Sequence, residues 1–179
     1  LHTSLLENAG KEGRRRRVLA VPDLGVLPKK LLEEILERNH VVLNEKTVIL
    51  ESYKRSATCL ETILKHSVVE DEVSVLSEAE YEKYPLVLPL AECFLEKDIR
   101  LTYEEYHACI GAAENYAKAN ENYQFNLTKI KGFHNIQITC FEGKWCMISK
   151  NRAPAIHFVI HHPKLRYALE NMVLPIRDD

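Results

Sequence analysis

The chain has 179 residues, 46% hydrophobic and 28% charged, with a formal net charge of −2. That length allows one domain with a substantial core, and the near-neutral balance argues against a chain that binds nucleic acid along its whole surface. No apolar run approaches the roughly 20 residues of a membrane helix, and the N-terminus lacks the apolar stretch and cleavage site of a signal peptide.

In chain order, Leu1 to Gly13 shows little periodicity, and Arg14 to Arg17 is a run of four arginines. Charge runs are usually solvated, so residues 1–17 are expected to form a basic arm or linker. The sharper alternative is a phosphate-contacting segment beside a DNA-binding module. A single α/β domain is expected over 18–179, opening with a short buried strand from Val18 to Val21. Pro28 starts a helix with Leu31, Leu32, Ile35 and Leu36 on its apolar face. Lys29–Glu33 and Lys30–Glu34 form i, i+4 pairs on it. Val41 to Leu50 fits either a strand or the lead-in to the helix predicted from Tyr53 to His66. Val73 to Leu76 reads as a strand. Ser77 and Glu80 form a capping box for a short helix that Pro85 stops. Leu86 to Leu95, broken by Pro89, fits neither element. Thr102 and Glu105 make a second capping box, and the helix it starts keeps its apolar spacing to Asn120.

The last third, from Tyr123, reads as a β-meander sealed by a helix. Asn135 to Phe141 alternates with period two. Glu142-Gly143 offers a two-residue turn, which would set Cys140 opposite Trp145 and Ile138 opposite Met147. Cys140 and Cys146 would then point to opposite faces. Ala155 to Ile160 is the third strand. A helix follows from Pro163, with Leu165, Ala168, Leu169, Met172 and Val173 facing the sheet and Pro175 ending it. The fold class expected is α/β (α+β), a mixed sheet with a C-terminal antiparallel meander flanked by helices.

Chemistry is sparse. His157 and His161 share a strand face, but lie about 13 Å apart at ~3.3 Å per residue. No ligand spacing links them with His162, His134, His107 or His66, so no metal is expected. The five cysteines, Cys59, Cys93, Cys109, Cys140 and Cys146, contain no CxxC pair. They read as small buried hydrophobes of a reducing, cytoplasmic compartment. A nucleophile pairing of Cys140 or Cys146 with His157 is the alternative, with no local motif behind it. Gly-rich phosphate loops, GxSxG and HExxH are missing, so neither cofactor nor catalytic residues are expected. Tyr103, Tyr106 and Tyr116, on one helix, carry the apolar bodies and polar tips that suit a pocket wall. With His157, and with Lys150 and Arg152 as an anion-binding edge, they are the expected ligand-binding residues, in a pocket between that helix and the meander. The competing reading is that the tyrosines fill core.

The stretch ISKNRAPAIHFVIHHPKLRYALENMVLPI, Ile148 to Ile176, resembles the C-terminal part of regulatory domains attached to helix-turn-helix modules in bacterial transcription regulators. Pro154, Phe158, Pro163 and Leu165 are its fixed points. The resemblance implies a non-enzymatic effector-sensing or dimerisation domain. Its partners would be a small-molecule effector and a second copy in a homodimer, with DNA reached only through a module N-terminal to Leu1 and no membrane. Two alternatives stand beside it. One is a small enzyme for an anionic metabolite, with His157 as acid/base and Arg152 or Lys150 holding the anion. The other is a protein-interaction domain without a pocket.

Overall fold

The computed structural model describes residues 13–90, 97–129 and 134–177, with side chains as far as residue 173. The elements are β1 (Gly13–Leu19), a 3-10 turn (Leu24–Val26), α1 (Lys29–Arg38), α2 (Leu43–Leu64) and β2 (Ser67–Ser74). There follow α3 (Glu78–Lys83), α4 (Tyr103–Ala119), β3 (Tyr123–Thr128), β4 (Ile136–Phe141), β5 (Trp145–Lys150), β6 (Ile156–Ile160) and α5 (Pro163–Arg177). The six strands form one sheet in the order β3-β2-β1-β4-β5-β6. β1, β2 and β3 run parallel, and β4 to β6 form an antiparallel meander joined to β1. The mixed α+β sheet is therefore the architecture. Among the described residues, no helix is long and apolar enough to cross a membrane.

Alternation along β1 separates two layers. Leu19 packs with Val69, Val73 and Tyr123 under α1, α2 and α4, in the main core. Val18 faces the other way, with Ile138, Cys140 and Cys146 under Leu169 and Val173 of α5. Both capping boxes form, Ser77 with Glu80 and Thr102 with Glu105. The lysine–glutamate pairs of α1 also form, at 3.8 and 4.0 Å.

Several expectations change. The arginine run is not an arm: Arg14 to Arg17 lie inside the central strand β1, paired on both sides. Val41 to Leu50 leads into α2, a single helix of 22 residues. Its length of apolar surface against the core outweighs the β-branched residues near its start. The polar stretch Tyr123–Thr128 is an edge strand. α5 continues past Pro175 to Arg177. Leu165 and Met172, assigned to the sheet side, are 58% and 43% exposed.

The hairpin register also shifts by one. Phe141 pairs with Trp145 and Cys140 with Cys146, so the turn takes three residues. The Lys144 N–H donates to the Phe141 carbonyl at 2.9 Å, and Gly143 holds φ at 73°, where a side chain would be strained. A one-residue slip moves every side chain to the other face. Cys140 and Cys146 therefore stand side by side, their sulfurs 2.9 Å apart, both free. Trp145 joins Phe141 and Met147 on the opposite side.

Candidate functional site

Period two also divides the arginines. Arg14 and Arg16 point to the α5 face, where both meet Glu70, at 3.0 and 3.3 Å. Arg15 and Arg17 point under α2. The parallel register sets Arg17 beside Asp71, and its Nε and Nη2 donate to the two carboxylate oxygens at 2.6 and 2.7 Å. A third donor, Nη1, bonds Asp23, whose other oxygen accepts the Gly25 N–H and caps the 3-10 turn. The Tyr123 hydroxyl donates to Asp71 at 2.6 Å. Burial disfavours the charge of Arg17, but Asp71 and Asp23 overcome it and hold its pKa well above the ordinary value. Burial followed by the Asp71 charge pushes the Tyr123 hydroxyl up, so it stays a donor. Two charges taken from water are tolerated when fork geometry and further hydrogen bonds satisfy them.

Arg15 sits one step along, 2% exposed. Its Nη1 donates to Ser67 Oγ at 2.8 Å, and its guanidinium lies 4.2 Å from the centroid of Phe141. Burial, opposed by Cys59 and reinforced by Arg17, lowers its pKa to about 10. It therefore remains a cation at neutral pH.

These two arginines floor a cleft. The helices of this face rest on β2 and β3, and the meander side, where Phe141, Trp145 and Met147 are buried, supplies the far side of the cleft. α2 forms one wall and contributes Ser52 and Ser56 to the lining. The opposite wall is Gln137, Thr139 and Met147 of the meander, with Pro89 at the rim. Asn135 ties that rim to β4, accepting from the Val87 N–H at 3.0 Å and donating to Pro85 at 3.1 Å. Gly25 lets the 3-10 turn seat against α2, since a Cβ there would lie 2.9 Å from the Ser56 carbonyl. The cavity measures ≈ 100 Å³, somewhat below the ~150 Å³ engineered cavity that takes up benzene. It suits a head group of a few atoms, with the remainder of a ligand in the open mouth.

The residues expected to bind ligand do not converge. α4 packs on β3, α1 and the 3-10 turn, so the pocket expected between it and the meander does not form. Tyr106 is fully buried: its hydroxyl donates to the Ser74 carbonyl at 2.8 Å and accepts from the Leu76 N–H at 3.3 Å. Tyr103 packs on Tyr81 and His107, and Tyr116 meets Tyr123 edge-on. The tyrosines fill core. Lys150 is exposed at the end of β5, and Arg152 pairs with Asp98 at 3.2 Å. His157 Nδ1 lies 2.7 Å from Ser149 Oγ, and Ser149 is completely buried.

The cleft residues Arg15, Arg17, Ser52, Ser56, Gln137 and Thr139 were outside the sequence-based set. The usable signal was a second charge run, Glu70-Asp71-Glu72, set between Val68-Val69 and Val73. An acidic triplet inside an apolar strand needs basic partners, and Arg14 to Arg17 are the one basic run of matching length. Among the described residues, no three His, Cys, Asp or Glu side chains are placed to share a metal ion. Comparison with protein families, with curated proteins and with solved structures found no match to this chain.

Proposed function

We propose that the chain is a cytoplasmic, non-enzymatic sensing module of a transcription regulator, and that it binds a small effector in the cleft under α2. DNA contact would belong to a module outside these residues. The observation that carries this reading is the cleft floor, where a buried arginine cation lies beside hydroxyl and amide side chains. An apolar cavity with a few fixed polar groups is the usual form of a small-molecule site. A carboxylate or similar oxygen-rich head group matches guanidinium, hydroxyl and amide donors. Other features favour binding over catalysis. Burial pushes the Cys109 thiol up to about 12, and the hydrogen bond from Cys146, with burial added, pushes Cys140 up as well. Such thiols are protonated and poor nucleophiles. The serine of the Ser149–His157 pair is out of reach of substrate. Among the described residues, the buried thiols of Cys109, Cys140 and Cys146 form no disulfide, which suits a reducing compartment.

The test is a thermal-shift screen of small carboxylates and phosphorylated metabolites, followed by calorimetry. A ligand at a hundred times its dissociation constant adds about 2.7 kcal/mol of stability. Ser56→Phe, which fills the cleft from the α2 wall, is expected to abolish that shift. Gln137→Ala is expected to weaken it. A ligand whose shift survives Ser56→Phe places the site elsewhere, and turnover of any compound overturns the non-enzymatic reading.

A further inference from the structure

The two edges of the sheet meet solvent differently. A free strand edge is normally blunted by charge, proline or a bulge, because its open N–H and C=O groups otherwise recruit another strand. β6 reads Ile156-His157-Phe158-Val159-Ile160, with no formal charge and no proline. Among the described residues, no strand pairs beyond it. Phe158 is 62% exposed and Ile156 44%. Register places both on the α5 face, beside Ile148 and Lys150. There α5 turns Leu169 and Val173 to the sheet and leaves Leu165 and Met172 outside. An apolar strip thus runs from the sheet edge up the flank of α5.

We propose that this strip is a homodimer interface, in which β6 pairs antiparallel with β6 of a second copy about a two-fold axis through Phe158. The inference goes beyond the cleft and does not depend on any ligand. Symmetry supports it, because an isologous contact must be self-complementary. Centring the pair on Phe158 sets Ile156 against the partner's Ile160, Phe158 against the partner's Phe158, and His157 against the partner's Val159. No like charges oppose each other on the strand. Leu165 and Met172 then meet their counterparts across the joint. Area supports it too. At roughly 150–200 Å² per fully exposed large side chain, the exposed fractions of Ile156, Phe158, Leu165 and Met172 total about 350 Å² per copy. That lies within the range of the largest patches left bare on monomers. The strand backbone, Val159 and the polar rim add to it, toward the ~800 Å² per partner of a standard interface.

Light scattering on the size-fractionated full chain tests this. At tens of micromolar, the wild type is expected at twice 20.7 kDa. Phe158→Lys is expected at the single-chain mass with an unchanged circular dichroism spectrum. Leu127→Lys, on the opposite edge strand, should keep the dimer. Phe158→Cys, placed on the axis, should give a disulfide-linked dimer on mild oxidation. A monomeric wild type overturns the proposal and leaves the strip to another protein. So does a dimer that withstands Phe158→Lys, or one that Leu127→Lys dissolves.

Discussion

The parallel and antiparallel halves of this sheet are buried by different means. β2, in the parallel half, has every side chain buried except Val68, whereas β6 has none in that class. Among the described residues, three helices, α1, α2 and α4, gather over three strands on one face, and α5 alone serves the other. The helical layers are therefore narrower than the sheet. Beside α2 a cleft of mixed polar and apolar lining opens, and where α5 ends short of β6 an apolar edge is left. Both candidate functional surfaces are consequences of that mismatch, and the completed core holds neither. Surface left over after burial is where recognition can be built without cost to the fold.

The largest expected effect lies within the parallel half, where Arg17 of β1 meets Asp71 of β2. Arg17→Met leaves the Asp71 carboxylate buried without its fork, and removing one partner of a buried pair typically costs about 3–5 kcal/mol. Chemical denaturation should show a loss of that size. Removing both charges, in Arg17→Met with Asp71→Leu, should recover much of it. A single-variant loss below about 1 kcal/mol would mean that the network is solvated and contributes little to the parallel half.

A smaller effect depends on pH, and α4, over the parallel half, carries two of the buried groups behind it. Burial pushes Tyr106 up to about 12 from 10, and Cys109, also on α4, up to about 12 from 9. Raised folded-state values give stability that is complete below the unfolded values and lost as pH climbs toward the folded ones. Stability should thus fall from about pH 9 toward pH 12, by on the order of a few kcal/mol. Tyr106→Phe should flatten the part above pH 10. At neutral pH it should cost about 1–3 kcal/mol, because the Leu76 N–H loses its hydroxyl acceptor. A pH slope unchanged in Tyr106→Phe and in Cys109→Ala would show that neither group is protonated by burial.

Local rules made much of this fold legible. Capping boxes at Ser77 and Thr102, the Lys29–Glu33 spacing and the alternation of β4 to β6 each depend on residues within one turn or one strand. Long-range pairing was less visible. Arg17 is separated from Asp71 by 54 positions, so a run read alone looks solvated. β3 carries Gln124 and Asn126 and lacks a strand's apolar signature, because it lies at an edge. The hairpin slipped because Lys144 is as acceptable in a turn as in a strand, and turn length decides the register. The tyrosines of α4 were ambiguous for a similar reason: an amphipathic ring suits a pocket wall or a core with polar backbone to satisfy. Tyr106 does the second, for Ser74 and Leu76.

The smallest expected effect compares the two edges directly. Phe158 and Leu127 are 62% and 47% exposed, and in an isolated chain Phe158→Ser and Leu127→Ser should each change stability by no more than about 0.5 kcal/mol. The proposed β6 pairing would change that for one edge only, because a partner that binds the folded state raises its melting temperature with concentration. The wild type and Leu127→Ser should therefore melt higher as protein concentration rises, while Phe158→Ser should melt at a constant temperature. Parallel curves for all three would mean that the edges are equivalent in solution. A concentration dependence lost in Leu127→Ser and kept in Phe158→Ser would assign association to β3. A loss in Phe158→Ser alone would tie the bare β6 edge of the sheet to a second copy, through an interface too small to be needed for the fold of either chain.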